Sequence, residues 1–298
     1  MLIETDLPDL LHRGKVRDTH LLGQDLLLMV ATDRLSAFDV VLPNGIPNKG
    51  LVLNHMSAFW FAKTRYIVPN HLITLADAPQ ASAMVGGGAL DALPPDVARQ
   101  AMVVMRAERI DIECIVRGYI TGSAWEEYRR QGTVSGKPMP AGLLEGQAFP
   151  EPLFTPTTKA EEGHDENMSD EEVVELVGAD RAKQLAQVSI SVYEFARDYA
   201  LERGIILADT KMEFGLINGR LILIDELLTP DSSRFWDMEG YQPGKSQPNF
   251  DKQFVRDWLN EQGWDREPPA PSLPDDVVSR TSERYLEAYY RITGERLS

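Results

Sequence analysis

Cysteine is almost missing. The chain of 298 residues carries one, Cys114, which excludes an internal disulfide and a cysteine-based metal cluster. Cys114 sits in an apolar run and reads as a core thiol. Long hydrophobic runs are missing too. None approaches the roughly 20 residues that span a bilayer, and the opening MLIETDLPDL is not a signal peptide, so the cytoplasm is the expected compartment. Positive charge is scarce. Lys and Arg number 30 against 46 Asp and Glu, a net charge of −16, which argues against nucleic acid and anionic membranes as partners. If the substrates are anions, a few placed cations must hold them against that field. No internal repeat, low-complexity segment or long exposed apolar stripe is evident. A monomer is therefore the default, with the oligomeric state left open. The length suits two domains or one large one, ample for a core.

What the sequence has in strength is an alternating stretch at 205–236, IILADTKMEFGLINGRLILIDELLTPDSSRFW. Asp209, Lys211 and Glu213 fall at spacing two, which on a strand puts them on one face. Met212 and Phe214 take the other face, as a core requires. Asn218-Gly219 is a hairpin signal, and Leu221 to Ile224 run apolar into Asp225-Glu226. Register decides whether the charges meet. A two-residue loop pairs Ile217 with Arg220 and turns Asp225 away from Glu213. A three-residue loop, with Gly219 as a G1 bulge, pairs Leu216 with Arg220 and sets Asp225 opposite Lys211. The second register is expected, because two carboxylates and a lysine converging there suit Mg²⁺ and a polyphosphate. A surface hairpin with ordinary ion pairs is the competing reading.

Upstream, residues 10–30 read as strand, turn and strand, with Gly14-Lys15-Val16-Arg17-Asp18 in the turn and LLLMV at 26–30 returning. A glycine with two cations at spacing two is able to close over phosphates; a plain charged hairpin fits as well. Residues 31–50 have no helical period and carry a hairpin signal at Asn44-Gly45. Met56, Phe59, Trp60 and Lys63 recur at helical spacing over 52–63. Strands are expected at 66–75, 101–105 and 112–116, with a loop at Gly86-Gly87-Gly88. The polar residues 106–109 divide an N-terminal lobe, 1–109, from a larger one, 110–298.

The segment Arg117-Gly118-Tyr119-Ile120-Thr121-Gly122-Ser123 follows. Ser123 and Glu126 form a capping box, so a helix is expected from Ala124. An arginine beside a helix N-terminus suits an anion. A plain cap is commoner, but the flanking glycines, which admit a ligand to the backbone, favour the site. Residues 131–168 lack periodicity, as a functional or disordered loop does. Near their end His164, Asp165 and Glu166 are too close in sequence to converge on one metal, and read as substrate contact or a solvated turn. Ser169 and Glu172 make another capping box, for a helix that Gly178 ends. The long helix over 180–203 carries a stripe of Leu185, Val188, Val192, Phe195 and Tyr199, stops at Gly204, and is expected to pack beneath the hairpin. A loop at 229–234 would present Arg234 close to Asp225. Helices over 251–262, with Phe254, Val255, Trp258 and Leu259 inward, and 275–292, with Val278, Leu286, Tyr289 and Tyr290, flank the stiff linker EPPAPSLP.

GKVRD at 14–18, ERIDIECIVRGYITGSAW at 108–125, FTPTTKAEEGHDEN at 154–167, LADTKMEFG at 207–215 and DELLTPDSSRFW at 225–236, in this order and spacing, resemble the SAICAR synthetases (phosphoribosylaminoimidazole-succinocarboxamide synthases) in their longer form. The resemblance reaches to about residue 260. It implies an α+β fold of two lobes, a small antiparallel β lobe like the ATP lobe of kinases and a larger α/β lobe, with ATP between them. It implies the joining of carboxyaminoimidazole ribonucleotide (CAIR) to L-aspartate, with ATP going to ADP and phosphate, in de novo purine synthesis. Residue by residue, it puts Lys15 and Arg17 over the ATP phosphates, and Arg106 and Glu108 beside adenine and ribose. Glu213 and Asp225 would hold Mg²⁺. Arg117, Ser123 and Arg234 would cradle the ribose phosphate, for which an arginine fork is well shaped. Lys211 falls near the reacting carboxylate, with Asp209 orienting it or the ribose. Ser36 and Asp39 match the imidazole end, and Lys159 with the loop after it the carboxylates of aspartate. One departure is Asp111, where the family usually has proline; a turn-capping role is expected for it. No residue is marked as the base for the aspartate amine.

Two other readings compete. A small-molecule phosphotransferase on a similar scaffold would share Lys15, Glu213 and Asp225, but has no need of Arg117, Ser123 and Arg234 together. A silent nucleotide-binding module would have lost a metal carboxylate or the lysine, and all are present.

Overall fold

The computed structural model describes residues 1–159, 166–250 and 252–297. Its first apolar segments pair as a meander, β1 (Leu10–Arg13), β2 (Arg17–Leu22) and β3 (Leu26–Ala31). Residues 10–30 thus hold three strands where two were expected, because Gly23 adopts φ +79 and turns the chain once more. β4 (Arg34–Ala37) and β5 (Val40–Gly45) form a separate hairpin. Its turn is Phe38-Asp39, both at positive φ. The expected turn at Asn44-Gly45 instead ends β5, where Gly45 pairs with Arg34.

After α1 (Lys49–Thr64) comes β6 (Leu72–Leu75), shorter than the strand expected over 66–75. The residues before it turn back on α1, with the Asn70 amide donating to the Phe61 carbonyl at 3.0 Å. Short α2 (Ala81–Met84) and α3 (Pro95–Arg99) lead to β7 (Ala101–Met105). The first sheet is antiparallel, in the order β1-β2-β3-β7-β6.

β8 (Glu108–Tyr119) is one continuous strand, and Asp111 lies within it, accepting from Arg109 Nε at 2.7 Å rather than capping a turn. α4 (Gly122–Gln131) follows. The stretch 131–168, read as structureless, holds β9 (Thr133–Val134), β10 (Lys137–Pro138), β11 (Ala148–Phe154) and β12 (Thr157–Thr158). These are short strands set by pairing with neighbours, so they leave no period in the sequence. α5 (Asp170–Val177) begins with the Ser169–Glu172 capping box. α6 (Ala179–Leu201), β13 (Ile205–Ile217), β14 (Arg220–Ile224), β15 (Ser233–Asp237), α7 (Gln253–Glu261) and α8 (Asp275–Thr293) complete the chain.

The second sheet is built around β13. One edge takes β8, whose far edge takes β11 and β12. The other edge is shared, β14 along Glu213–Ile217 and β15 along Ile205–Thr210. α6 buries Leu185, Ser189, Val192, Tyr193, Ala196 and Ala200 beneath it. The stripe is rotated from the expected one. Val188, Phe195 and Tyr199 lie on its shoulder, packed against the core but only partly buried. Small residues at the centre let the helix approach the sheet, which a search for large apolar side chains does not see. One apolar cluster runs from Met29, Met102 and Val104 through Met56 and Trp60 to Val116, Met212, Phe214 and Tyr285. The two sheets are also joined by backbone. His71 N donates to Leu223 O at 3.0 Å and Leu223 N to Pro69 O at 2.9 Å. Among the described residues, no helix is long and apolar enough to cross a membrane.

Candidate active site

Pairing of β8 with β13 sets Arg117 beside Asp209, Ile115 beside Lys211 and Glu113 beside Glu213. Side chains directly opposite share a face. The other face carries Met212 and Cys114, both fully buried, and burial pushes the Cys114 thiol up to about 12. The first face is a row of charge.

At one end of that row, Asp209 accepts from two arginines. Arg117 Nη1 lies 3.0 Å from Asp209 Oδ2, and Arg234 Nη1 bonds the same oxygen. Arg117 also donates to Thr155 Oγ1 at 3.0 Å and to Ser123 Oγ at 3.3 Å. Burial, with Arg234 nearby, pulls the Arg117 pKa below its ordinary value against the pull of Asp209. Two guanidiniums gathered on one carboxylate make a cluster of forked donors, which suits an anion. Gly122 is needed here. It has φ +56, and a Cβ on it would strike the Arg234 guanidinium. Gly118 leaves room for the Tyr193 hydroxyl, which donates to Leu207 O at 2.7 Å. Two expectations change. α4 starts at Gly122 after Thr121, without a side-chain cap, so Ser123 does not form the expected box and instead meets Arg117. Arg234 lies on β15 opposite Asp209, not in a loop.

At the other end, Lys211 Nζ donates to Glu113 Oε1 at 2.6 Å and reaches Glu213 Oε1 at 3.4 Å, while Lys159 pairs with Glu213 Oε2. Burial opposes the charge on Lys211, but Glu213, Glu113 and Asp225 outweigh it and hold the ammonium pKa above its ordinary value. Burial likewise opposes ionisation of Glu213, and Lys211 and Lys159 overcome it. Glu113 was missed in the sequence. Its signal was there, since Glu113, Ile115 and Arg117 alternate as Asp209, Lys211 and Glu213 do.

The hairpin takes the two-residue register. Ile217 pairs with Arg220 and Glu213 with Ile224, which overturns the expected bulge. Asn218 and Gly219 have φ 52 and 74, the two left-handed residues of a tight turn for which Asn-Gly is suited. Asp225 still reaches the site, by another route. It follows β14 directly with φ 61, and its carboxylate acts electrostatically on Lys211 and on Arg17.

From the first sheet, Arg17 is buried and pairs with Glu226 at 2.8 Å. Burial opposes its charge, and Glu226 and Asp225 more than restore it. Lys15 is exposed and pairs with Asp39 at 2.5 Å. Ser36 is buried on β4. Arg106 and Glu108 are exposed where β7 passes to β8. Fully buried Lys49 pairs with Asp231 at 2.7 Å, which also accepts from Tyr285 at 2.6 Å. Burial lowers the pKa of Lys252, with Asp231 opposing it. No periodicity marks Lys49, Asp231 or Lys252, because their partners are distant in sequence. His71 Nε2 lies 3.2 Å from the Asp225 carbonyl, and burial lowers its pKa to about 4. His164, Asp165 and most of the loop after Lys159 lie outside the described residues.

Glu213 and Asp225 offer only oxygen donors, which fits a hard cation such as Mg²⁺. Among the described residues, no three His, Cys, Asp or Glu converge as a closed cage.

Known proteins of one family resemble this chain in sequence and fold. The sequence profile of SAICAR synthetase matches residues 10–271. Phosphoribosylaminoimidazole-succinocarboxamide synthase of Syntrophotalea carbinolica is 52% identical over 99% of this chain and 98% of its own. The SAICAR synthase of Saccharomyces cerevisiae, solved with SAICAR, is 44% identical with a TM-score of 0.88, and all of both chains is covered. A type-2 SAICAR synthetase solved with ADP is 26% identical with a TM-score of 0.70, covering 96% of this chain and 99% of its own. By profile, by sequence identity and by fold alike, the chain belongs to the SAICAR synthetase family.

Proposed function

We propose that this protein is an ATP-dependent carbon–nitrogen ligase. It joins the carboxylate of CAIR to the amine of L-aspartate, giving SAICAR, ADP and phosphate in de novo purine synthesis. The observation that carries the reading is the single face on which Arg117, Asp209 and Arg234 stand at one end, and Lys211, Glu113 and Glu213 at the other. From Asp209 to Glu213 the strand advances by about 13 Å. That suits a ribonucleotide held by its phosphate at one end and reacting at the other.

A carboxylate is a poor electrophile. One CAIR carboxylate oxygen attacks the γ-phosphorus of ATP, the bond to ADP breaks, and an acyl phosphate forms. The aspartate nitrogen then attacks the acyl carbon, the carbon–oxygen bond breaks, phosphate leaves, and the nitrogen gives up a proton. Such chemistry needs positioning and charge neutralisation above all. Arg117, Ser123 and Arg234 hold the ribose phosphate, and Asp209 fixes both guanidiniums. Lys211 stabilises negative charge at the acyl centre. Lys15 and Arg17 serve the ATP phosphates, Arg17 also fixing the Asp225-Glu226 turn through its ion pair. Arg106 and Glu108 lie towards adenine and ribose, Ser36 and Asp39 towards the imidazole, and Lys159 towards a carboxylate of aspartate. Glu213 and Asp225 are the residues that would hold Mg²⁺, which when bound supplies neutralisation and orientation of the ATP phosphates. The cytoplasm is the compartment this reading assigns.

The test is ADP release with Mg²⁺-ATP and CAIR, with and without L-aspartate. Dependence on both, with an aspartate adduct formed, is the expected result. ADP release with CAIR alone and no adduct would mean a phosphotransferase.

A further inference from the structure

His71 is 3% exposed, a buried side chain with no part in the ligation chemistry. It lies just before β6, in the short segment 69–71 that ties the first sheet to the second. Its backbone spends both of its groups across that junction. The amide donates to Leu223 O on β14 at 3.0 Å, and the carbonyl accepts from Met105 N, at the end of β7, at 2.8 Å. Leu223 N donates to Pro69 O at 2.9 Å, so Leu223 is held on both sides. The ring stands edge-on to Phe61 of α1, with centroids 5.4 Å apart. Its Nε2 lies 3.2 Å from the Asp225 carbonyl. A carbonyl only accepts, so Nε2 carries the hydrogen.

That bond falls where the backbone is unusual. β14 ends at Ile224, and Asp225 follows with φ 61. The left-handed region is unfavourable for an L-residue, least so for Asn and Asp. The turn decides where the side chain goes. Ile224 is opposite Glu213 and shares its face. A strand continued by one more residue would turn Asp225 to the other face. The left-handed turn brings the carboxylate back, and from there it acts on Lys211 and Arg17.

The turn also takes the Asp225 carbonyl out of the ladder between β13 and β14, whose last pair is Glu213 with Ile224. A carbonyl aimed at a buried ring needs a donor. Among the described residues, the imidazole is its hydrogen-bond partner. The neighbours are held by other groups. Segment 69–71 fixes Leu223, Arg17 pairs with Glu226 at 2.8 Å, and Ser57 Oγ accepts from Leu227 N at 3.4 Å. At the Asp225 backbone itself, the ring is the holding contact.

We propose that His71 is a positioning residue for the Asp225 carboxylate. By holding the carbonyl, the imidazole keeps the left-handed turn and aims the side chain towards Lys211 and Glu213. The same residue anchors Met105, one position before Arg106, so the turn is also fixed relative to the passage between the sheets. The assignment rests on the reading of Asp225 as a residue that would hold Mg²⁺.

The test is calorimetric binding of ADP to the full chain, with and without Mg²⁺. Glutamine places an amide nitrogen at about the reach of Nε2, asparagine falls short of it, and phenylalanine keeps a ring without a donor. His71→Phe and His71→Asn should weaken ADP binding in Mg²⁺ by about tenfold, the size of one hydrogen bond. Binding without Mg²⁺ should change by less than about twofold on the same scale. His71→Gln should recover the affinity in Mg²⁺ to within about threefold of wild type. The double variant of His71→Phe with Asp225→Asn should bind no more weakly than Asp225→Asn alone, because the ring acts through that residue. Equal affinities in Mg²⁺ for the Gln, Asn and Phe variants would overturn the proposal. So would an equal loss with and without Mg²⁺, or losses that add in the double variant. Should His71→Phe fail to fold, the Gln and Asn variants decide between them, since both are amides and differ in reach. Wild-type affinity in Asp225→Asn would overturn the metal reading itself. A loss there with none at His71 would overturn the positioning role alone.

Discussion

The two sheets bury charge in opposite ways. In the first, Asp18 accepts from Arg34 Nη2 at 2.7 Å and from Thr5 N and Oγ1 at 2.9 Å. Arg34 spends its other donors on the carbonyls of Ile3, Gly14 and Lys15. Asp33 takes the amides of Leu2 and Gly50. These charges bind backbone and hold the Gly14-Lys15 turn in place. In the second sheet, two arginines share Asp209, two lysines share Glu213, and the Thr157 hydroxyl has no hydrogen-bond partner among the described residues. The difference teaches how to tell a scaffold from a site when both are charged and buried. A scaffold ties its charges to backbone, whereas a site ties side-chain charges to one another in a row.

The comparison breaks most readily at Asp18. Asp18→Asn leaves Arg34 buried and unpaired, and should lower unfolding free energy by about 3–5 kcal/mol, with far less change in kcat per folded molecule. Denaturant titration with parallel activity assays checks this. Burial opposes ionisation of Asp18, but hydrogen bonds from Arg34 and Thr5 outweigh it and keep its carboxyl below the usual 3.8. Its contribution is therefore complete above that value and lost as pH falls from about 3.8 through the lowered pKa. The acid limb of stability should be flatter in the variant.

Next in size is Asp225→Asn. Asparagine tolerates the left-handed backbone, so the fold should persist while kcat drops by about 10²–10³. Near-normal turnover would remove Asp225 from the chemistry. Arg234→Ala should raise KM for CAIR by about ten- to fiftyfold, a loss of roughly 2 kcal/mol, and KM for ATP far less. Equal effects on both would mean that the arginine pair is not a substrate cradle. The smallest effect sharpens the comparison inside the second region. Ser169→Ala removes the cap of α5, which among the described residues makes no contact with the charged side chains of the row, and should cost about 1 kcal/mol of stability, with every KM unchanged within error. A shift in any KM would show that α5 bears on the site.

Much of this was legible from local pattern. The alternation of Asp209, Lys211 and Glu213 against Met212 and Phe214 holds in the structure, as do the Ser169–Glu172 box and the stop at Gly178. Asp225 was expected near Lys211 and is felt there, but for the wrong reason. A left-handed residue at the strand end, not a bulged register, turns it in. Glu113 went unnoticed because a carboxylate in an apolar strand gains meaning only beside its partner, and the pairing of β8 with β13 is not local. The same holds for Lys49 with Asp231 and for Arg17 with Glu226. Ser123 was read as a cap because Ser-x-x-Glu is a local signature, but the preceding Gly122 had already begun the helix.

The shared edge of β13 bears on how this sequence is free to vary in length. β14 and β15 are both hydrogen-bonded to that edge, and the segment between them is pinned at Glu226 by Arg17 and at Asp231 by Lys49. An inserted residue between 225 and 232 has no slack to enter. It would have to slip one of two ladders or pull an ion pair apart. The turn at Gly142, where a side chain would meet open space, is where the chain is able to grow or shrink without moving the site.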